Sequence, residues 1–151
     1  MIRDKLKAAQ IESMKSGDKG RLAAVRLILA KIKDRDIELR TATQLPDDET
    51  TVVEVLQKMV KQRRESIGMY ESGGRPELAA QEQAEIDVID SFLPQQLSEA
   101  ETSAAIEAIK TELGASSLKD MGKVMAALKE QHGTVLDMSK ASGLVKAALA
   151  G

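Results

Sequence analysis

Apolar residues recur along this chain at three- and four-residue steps and nowhere in a sustained two-residue alternation. The first spacing belongs to a helix buried on one side, the second to a half-buried strand. Side-chain types point the same way. Tyr70 and Phe92 are the only aromatics among 151 residues, so the core must be Leu, Ile, Val, Met and Ala. The pattern predicts an all-α fold, with one medium domain or two small ones.

Ile2, Leu6, Ala9 and Met14 form a first helical stripe, closed by Gly17. Asp18 can cap a second helix carrying Leu22, Val25, Leu29 and Ile32, which Ile28 and Leu39 extend. Residues 41–47 read as a loop. Asp47 or Asp48 opens a long helix through Val52, Val55, Leu56, Met59, Val60, Ile67 and Tyr70, which Gly73-Gly74 ends. Pro76 suits the first turn of a fourth helix, with Leu78, Ile86 and Ile89 inward. Phe92-Leu93-Pro94 marks a boundary, because proline cannot continue the helix. Beyond it, Ser98 and Glu101 have the capping-box spacing. Three short helices follow. The first carries Ala105, Ile106, Ile109 and Leu113 and stops at Gly114. The second follows Ser116-Ser117 and carries Leu118, Met121, Met125 and Leu128. The third starts near Asp137 and carries Ala141, Leu144, Val145, Ala148 and Leu149. The expected organisation is a four-helix unit over residues 1–92 and a three-helix unit over residues 95–151.

Several function classes are excluded at this level. With no cysteine there is no disulfide, thiolate metal site or cysteine nucleophile. His132 is the only histidine, so no histidine pair can form a metal site or triad; just before Gly133, it reads as part of a helix C-terminus. The charged N-terminus and the lack of a long apolar run predict a cytoplasmic protein without a membrane span. Net charge is −2 but uneven. Residues 1–40 hold 11 Lys/Arg against 6 Asp/Glu, residues 41–94 hold 5 against 11, and residues 95–151 hold 6 against 7.

One heptapeptide breaks the local rules for a helix start: Lys119-Asp120-Met121-Gly122-Lys123-Val124-Met125. Read as part of the apolar stripe, Gly122 costs about 1 kcal/mol relative to alanine. Lys119 and Lys123, four apart, repel by about 0.2–0.5 kcal/mol on a helix, and the macrodipole disfavours cations there. A backbone open to close approach between two ammonium groups fits an anionic partner. Equally, Gly122 fits close packing of a neighbouring helix, with both lysines solvated.

In order and over nearly its full length, the chain resembles the GatB/YqeY family. The resemblance rests on Arg26-Leu27-Ile28, Lys61-Gln62-Arg63-Arg64-Glu65-Ser66-Ile67 and Gly74-Arg75-Pro76-Glu77-Leu78-Ala79. It continues with Glu82, Glu85-Ile86, Phe92-Leu93-Pro94-Gln95-Gln96-Leu97, the heptapeptide and Leu144-Val145-Lys146. It implies a two-domain helical protein whose C-terminal unit is similar to the tail domain of the B subunit of the glutamine-dependent tRNA amidotransferase. In that enzyme the tail contacts tRNA. Similar domains fused to glutaminyl-tRNA synthetases point to the same partner. The resemblance makes tRNA, an aminoacyl-tRNA synthetase or amidotransferase subunits the expected partners. It favours the anion reading, in which Lys119 and Lys123 hold phosphates, Gly122 allows close backbone approach, and Lys140 and Lys146 help. One departure is Gly133-Thr134-Val135-Leu136-Asp137-Met138, where many members have Gly-Arg-Ala-Asp, so no arginine contact carries over.

The family label is carbon–nitrogen ligase with glutamine as amide donor, and the residues do not support it for this chain alone. A cysteine glutaminase is excluded. Ser116, Ser117 and Lys119 lack the Gly/Ser-rich surroundings of an amidase site, so Ser117 reads as a helix cap. A P-loop ending at Gly122-Lys123 needs glycine at position 117 and Ser or Thr at 124, where Ser117 and Val124 stand. No catalytic residue and no cofactor are expected. Glu82, Glu85, Asp87 and Asp90 read as a solvated acidic face balancing the basic first helices. Lys61, Arg63 and Arg64 read as ion-paired with Glu54, Glu65 or the acidic fourth helix, with phosphate contact the alternative. With two aromatics in the chain, base stacking is excluded, and RNA binding would have to use shape and phosphates. The leading expectation is an auxiliary tRNA-binding protein. A ligase component active only with partner subunits and a protein-interaction module are the alternatives.

Overall fold

A computed structural model describes residues 1–150. The described residues form helices and turns with no strand. They divide into two compact units, Met1–Leu93 and Pro94–Gly151.

The first unit contains α1 (Ile2–Ser16), α2 (Lys19–Glu38), α3 (Asp48–Ser72) and α4 (Pro76–Asp90). Its helices stop and start where their capping chemistry dictates. Gly17 takes a left-handed φ of 75° to end α1, a conformation glycine adopts without a Cβ penalty. Asp18 then accepts the Arg21 amide at 3.0 Å to open α2. Asp47 accepts the Thr50 amide at 3.0 Å to open α3. Pro76 occupies the first turn of α4. A short 3₁₀ turn, Leu39–Thr41, precedes the loop into α3.

The core comes from Ile2, Leu6, Val25, Ile28, Ile32, Val52, Val53, Leu56, Met59, Ile86, Ile89 and Phe92. Several expected positions differ. Ser13, not Met14, is the buried residue of the last α1 turn; Met14 is 57% exposed. Residues 2, 6, 9 and 13 follow the helical period, which overrides the greater hydrophobicity of the next side chain. In α2, Ala24, Val25, Ile28 and Ile32 are buried, while Leu22 and Leu29 lie at the edge.

Arg3 ties three segments together. Its Nη1 and Nη2 donate to Asp36 at 2.9 and 2.8 Å, and Nη2 also donates to Asp48 at 2.8 Å. Hydrogen bonds from Arg3 hold the Asp36 carboxyl below the usual carboxylate range. That contribution to stability is complete above the ordinary aspartate value and is lost as pH falls through the lower folded value.

The acidic residues of α4 balance α3, not the first two helices as expected. Arg63 Nε donates to Glu85 at 2.9 Å and lies 4.0 Å from Glu82. Burial pushes the Asp90 carboxyl up, opposed by the charge of Arg64 and aided by that of Asp87.

The second unit is built from α5 (Glu99–Leu113), α6 (Met121–His132) and α7 (Met138–Ala150). A reciprocal Ser98–Glu101 box opens α5, and Gly114 (φ 64°) closes it. Ile106, Ile109, Val124, Leu128, Leu136, Ala141, Val145 and Leu149 make the core. The incoming segment is pinned to the α6–α7 loop: the Leu97 amide donates to the Val135 carbonyl at 2.8 Å. Gln96 Nε2 donates to the Thr134 carbonyl at 3.1 Å. No helix among the described residues is long and apolar enough to cross a membrane.

Candidate anion-binding face of the second unit

The start of α6 is made by its acid. Leu118–Asp120 form a 3₁₀ turn before the helix proper. Asp120 Oδ2 accepts the Ser116 amide at 3.1 Å and the Ser117 amide at 3.4 Å, and Ser117 completes the reciprocal box. Ser117 is thus a cap, as its position before the helix implied. The negative charge that accompanies Lys119 and Lys123 in sequence is spent on backbone amides.

Gly122 corrects the sequence expectation. Met121, Val124, Met125 and Leu128 turn inward, while Lys119, Gly122, Lys123 and Ala126 are exposed. A Cβ built on Gly122 meets nothing within 4 Å. Gly122 is therefore outside the apolar stripe, with no packing partner among the described residues of its own unit. Its helical cost, about 0.5–1 kcal/mol relative to alanine, has no return inside the unit. The repulsion expected between Lys119 and Lys123 is also altered, because the 3₁₀ turn places Lys119 ahead of the regular α-helix.

Helix α7 repeats the arrangement. Asp137 Oδ1 accepts the Ser139 and Lys140 amides at 3.0 and 3.3 Å, so this acid too serves a helix start. Lys140 and Lys146 are exposed, and Gly143 is exposed between them. A Cβ on Gly143 also meets nothing within 4 Å. Lys140 and Gly143 line the same hollow of ≈490 Å³, with Leu97, Thr102 and Leu144. Sequence reasoning missed Gly143. The signal was present as a mid-helix glycine three residues from a lysine on either side.

The structure thus places Lys119 in the 3₁₀ turn before α6, Lys123 on α6, and Lys140 and Lys146 on α7, which packs against both the turn and α6. None of the four forms an ion pair among the described residues. By contrast, Lys110 is used internally: its Nζ donates to the Ala148 carbonyl at 3.0 Å and lies 3.6 Å from Glu107. The remaining acids of the unit fall mostly on α5, as Glu99, Glu101, Glu107 and Glu112; on α6, Glu130 is exposed two turns beyond Lys123. Asp120 and Asp137 thus accept backbone amides at the two helix starts, while Glu99 and Asp137 line the hollow beside Lys140 and Gly143. Chemically the face offers ammonium groups and uncovered backbone, which suits polyanion contact.

His132 ends α6, and its carbonyl accepts the Val135 amide at 2.9 Å. Gly133 follows with φ −55°, an ordinary right-handed value. Glycine is required there for another reason. A Cβ would lie 2.5 Å from the Lys129 carbonyl oxygen.

The chain is similar in sequence to known proteins. A family model described as Yqey-like protein matches residues 3–149. A Saccharomyces cerevisiae protein named altered inheritance of mitochondria protein 41, mitochondrial, is 30% identical over 90 residues, covering 60% of this chain and 47% of the yeast protein. Proteins of the same name from Eremothecium gossypii and Candida glabrata are 32% and 33% identical over 82 residues. Those matches cover 54% of this chain and 43% and 44% of the relatives, so the chain matches less than half the length of each. Given a match to the family model across almost every residue, this chain belongs to the YqeY-like family.

Proposed function

We propose that this chain is an auxiliary tRNA-binding protein, non-catalytic by itself, which holds phosphates through α6 and α7 of its second unit. The observation that carries the proposal is the repeated pattern on those helices. Each presents an exposed glycine with open space above it between two exposed lysines that form no ion pair among the described residues: Lys119, in the turn before α6, and Lys123 about Gly122, and Lys140 and Lys146 about Gly143. Each has its leading acid bound to backbone amides. Glycine allows a ribose-phosphate backbone to approach the helix closely, and the lysines supply the charge. The second unit holds no aromatic residue, so recognition through it rests on backbone and shape. The resemblance to the amidotransferase tail domain supports tRNA as the polyanion.

The test is a titration of bulk tRNA at increasing salt. The wild type is expected to bind at low salt and weaken steeply as salt rises, because phosphate contacts release counterions. Lys119→Ala/Lys123→Ala is expected to lower the slope of log K against log salt by about 2. Absence of binding at low salt sinks the proposal. An unchanged slope in the double variant removes these two lysines from the site.

A further inference from the structure

The outward side of α2 carries a second cationic surface. Lys19, Ala23, Arg26, Ala30, Lys33 and Ile37 recur at alternating four- and three-residue steps. That spacing keeps them on one line of a helix, and all six are exposed, opposite the buried Ala24, Val25, Ile28 and Ile32. The line runs for about 27 Å at the helical rise per residue. It alternates cations with alanines and contains no acid. Asp34, one position from Lys33, is the acid beside it. Among the described residues, Lys19, Arg26 and Lys33 form no ion pair, whereas Arg3, Arg35, Arg63 and Arg75 elsewhere in the unit all do.

We propose that this line is a contact for the sugar-phosphate backbone of a structured RNA, separate from the face on the second unit. The inference rests on the tRNA reading for its ligand, but not for its residues. Charge complementarity selects a polyanion. A second copy of this chain offers separate side-chain carboxylates, several of them already bound, where a nucleic-acid strand offers a regular row of phosphates. Asp36 and Asp48 hold Arg3, Asp18 and Asp47 cap helices, and Glu38, Glu77 and Glu85 hold arginines. A flat anionic lipid surface fits less well than a strand. Asp4 and Glu12 are exposed on the neighbouring α1, so the acid-free surface is one helix wide. The alanine steps leave room for a backbone to lie between successive cations.

The deciding experiment compares tRNA binding of the full chain with that of Lys19→Gln/Arg26→Gln/Lys33→Gln. A control of equal charge, Lys5→Gln/Lys15→Gln/Lys58→Gln, removes exposed cations off the line. Vesicles of phosphatidylglycerol and phosphatidylcholine form a parallel arm. The line variant is expected to bind tRNA roughly tenfold or more weakly at low salt and to lose about 2–3 from the salt slope, with the control close to wild type. Equal losses in the line and control variants overturn the inference, as does wild-type behaviour of the line variant. If that result accompanies a weakened Lys119→Ala/Lys123→Ala variant, the second-unit reading survives alone. Loss of vesicle binding with tRNA binding intact assigns the line to lipid and also overturns the inference. A wild type that does not bind tRNA removes both readings.

Discussion

Arg63→Ala is expected to destabilise the first unit by about 2–3 kcal/mol, lowering its thermal transition by roughly 10 °C or more. The Arg63 side chain is only 12% exposed and lies between α3 and α4. It donates to Glu85 at 2.9 Å and, through Nη1, to the Met59 carbonyl at 3.2 Å, with Glu82 at 4.0 Å. Removing it takes the guanidinium away from Glu85 and Glu82 and strips the aliphatic stem from the interface. A fully buried pair broken on one side costs about 3–5 kcal/mol. Glu82 and Glu85 retain 24% and 38% exposure, so partial rehydration lowers that figure. Arg63→Lys should recover only part of the loss, because one ammonium on a flexible stem does not reproduce the fork of a guanidinium. Thermal unfolding of the full chain by circular dichroism checks this. A shift under about 3 °C would show that the pairing is peripheral to stability.

Gly133→Ala is expected to cost about 2 kcal/mol, even though its backbone angles suit any residue. Two effects compete. Replacing glycine in an allowed conformation reduces unfolded-state entropy and stabilises by about 0.4–1 kcal/mol. Against that, the new methyl group would stand 2.5 Å from a backbone oxygen, so the chain itself must move. The moving segment leads to Leu136, which is 1% exposed in the core, and to Val135, which pins Leu97. The clash wins by magnitude. Denaturant unfolding of the second unit tests it, and a stabilised variant would contradict the geometry.

Local signals explain most of what was legible in the sequence. Asp18, Asp47, the Ser98–Glu101 box, Gly17, Gly114 and Pro76 act over one helical turn, so their spacing predicts where helices begin and end. Most inward residues of α3, and Ile106 and Ile109 of α5, were legible for a related reason, since a 3.6-residue period needs no knowledge of neighbours; Leu113, expected on the same stripe, is 46% exposed. Ser13 was not, because a buried hydroxyl looks like a surface residue; its Oγ has no hydrogen-bond partner in the structure. The partner of Arg63 was readable only as one of several acids, since selecting Glu85 depends on how α3 and α4 meet. Gly122 and Gly133 show the limit most clearly. Both are glycines at the ends of one helix, yet one faces open space and the other a carbonyl oxygen. That difference lies in the surrounding atoms and leaves no trace in local sequence. The candidate lysines were identifiable by type and spacing, but their freedom from ion pairing follows from where Asp120 and Asp137 place their carboxylates.

The central claim is that the exposed glycines of α6 and α7 exist for a partner and not for the fold. It makes stability and binding move in opposite directions. In Gly122→Ala/Gly143→Ala, each alanine should stabilise its helix by about 0.5–1 kcal/mol, because neither meets an atom of the chain. The direct measurement is the affinity of that double variant for bulk tRNA at low salt. The account predicts weaker binding, by roughly tenfold (about 1.4 kcal/mol), from a protein that melts higher than wild type. Wild-type affinity in the more stable variant would contradict it.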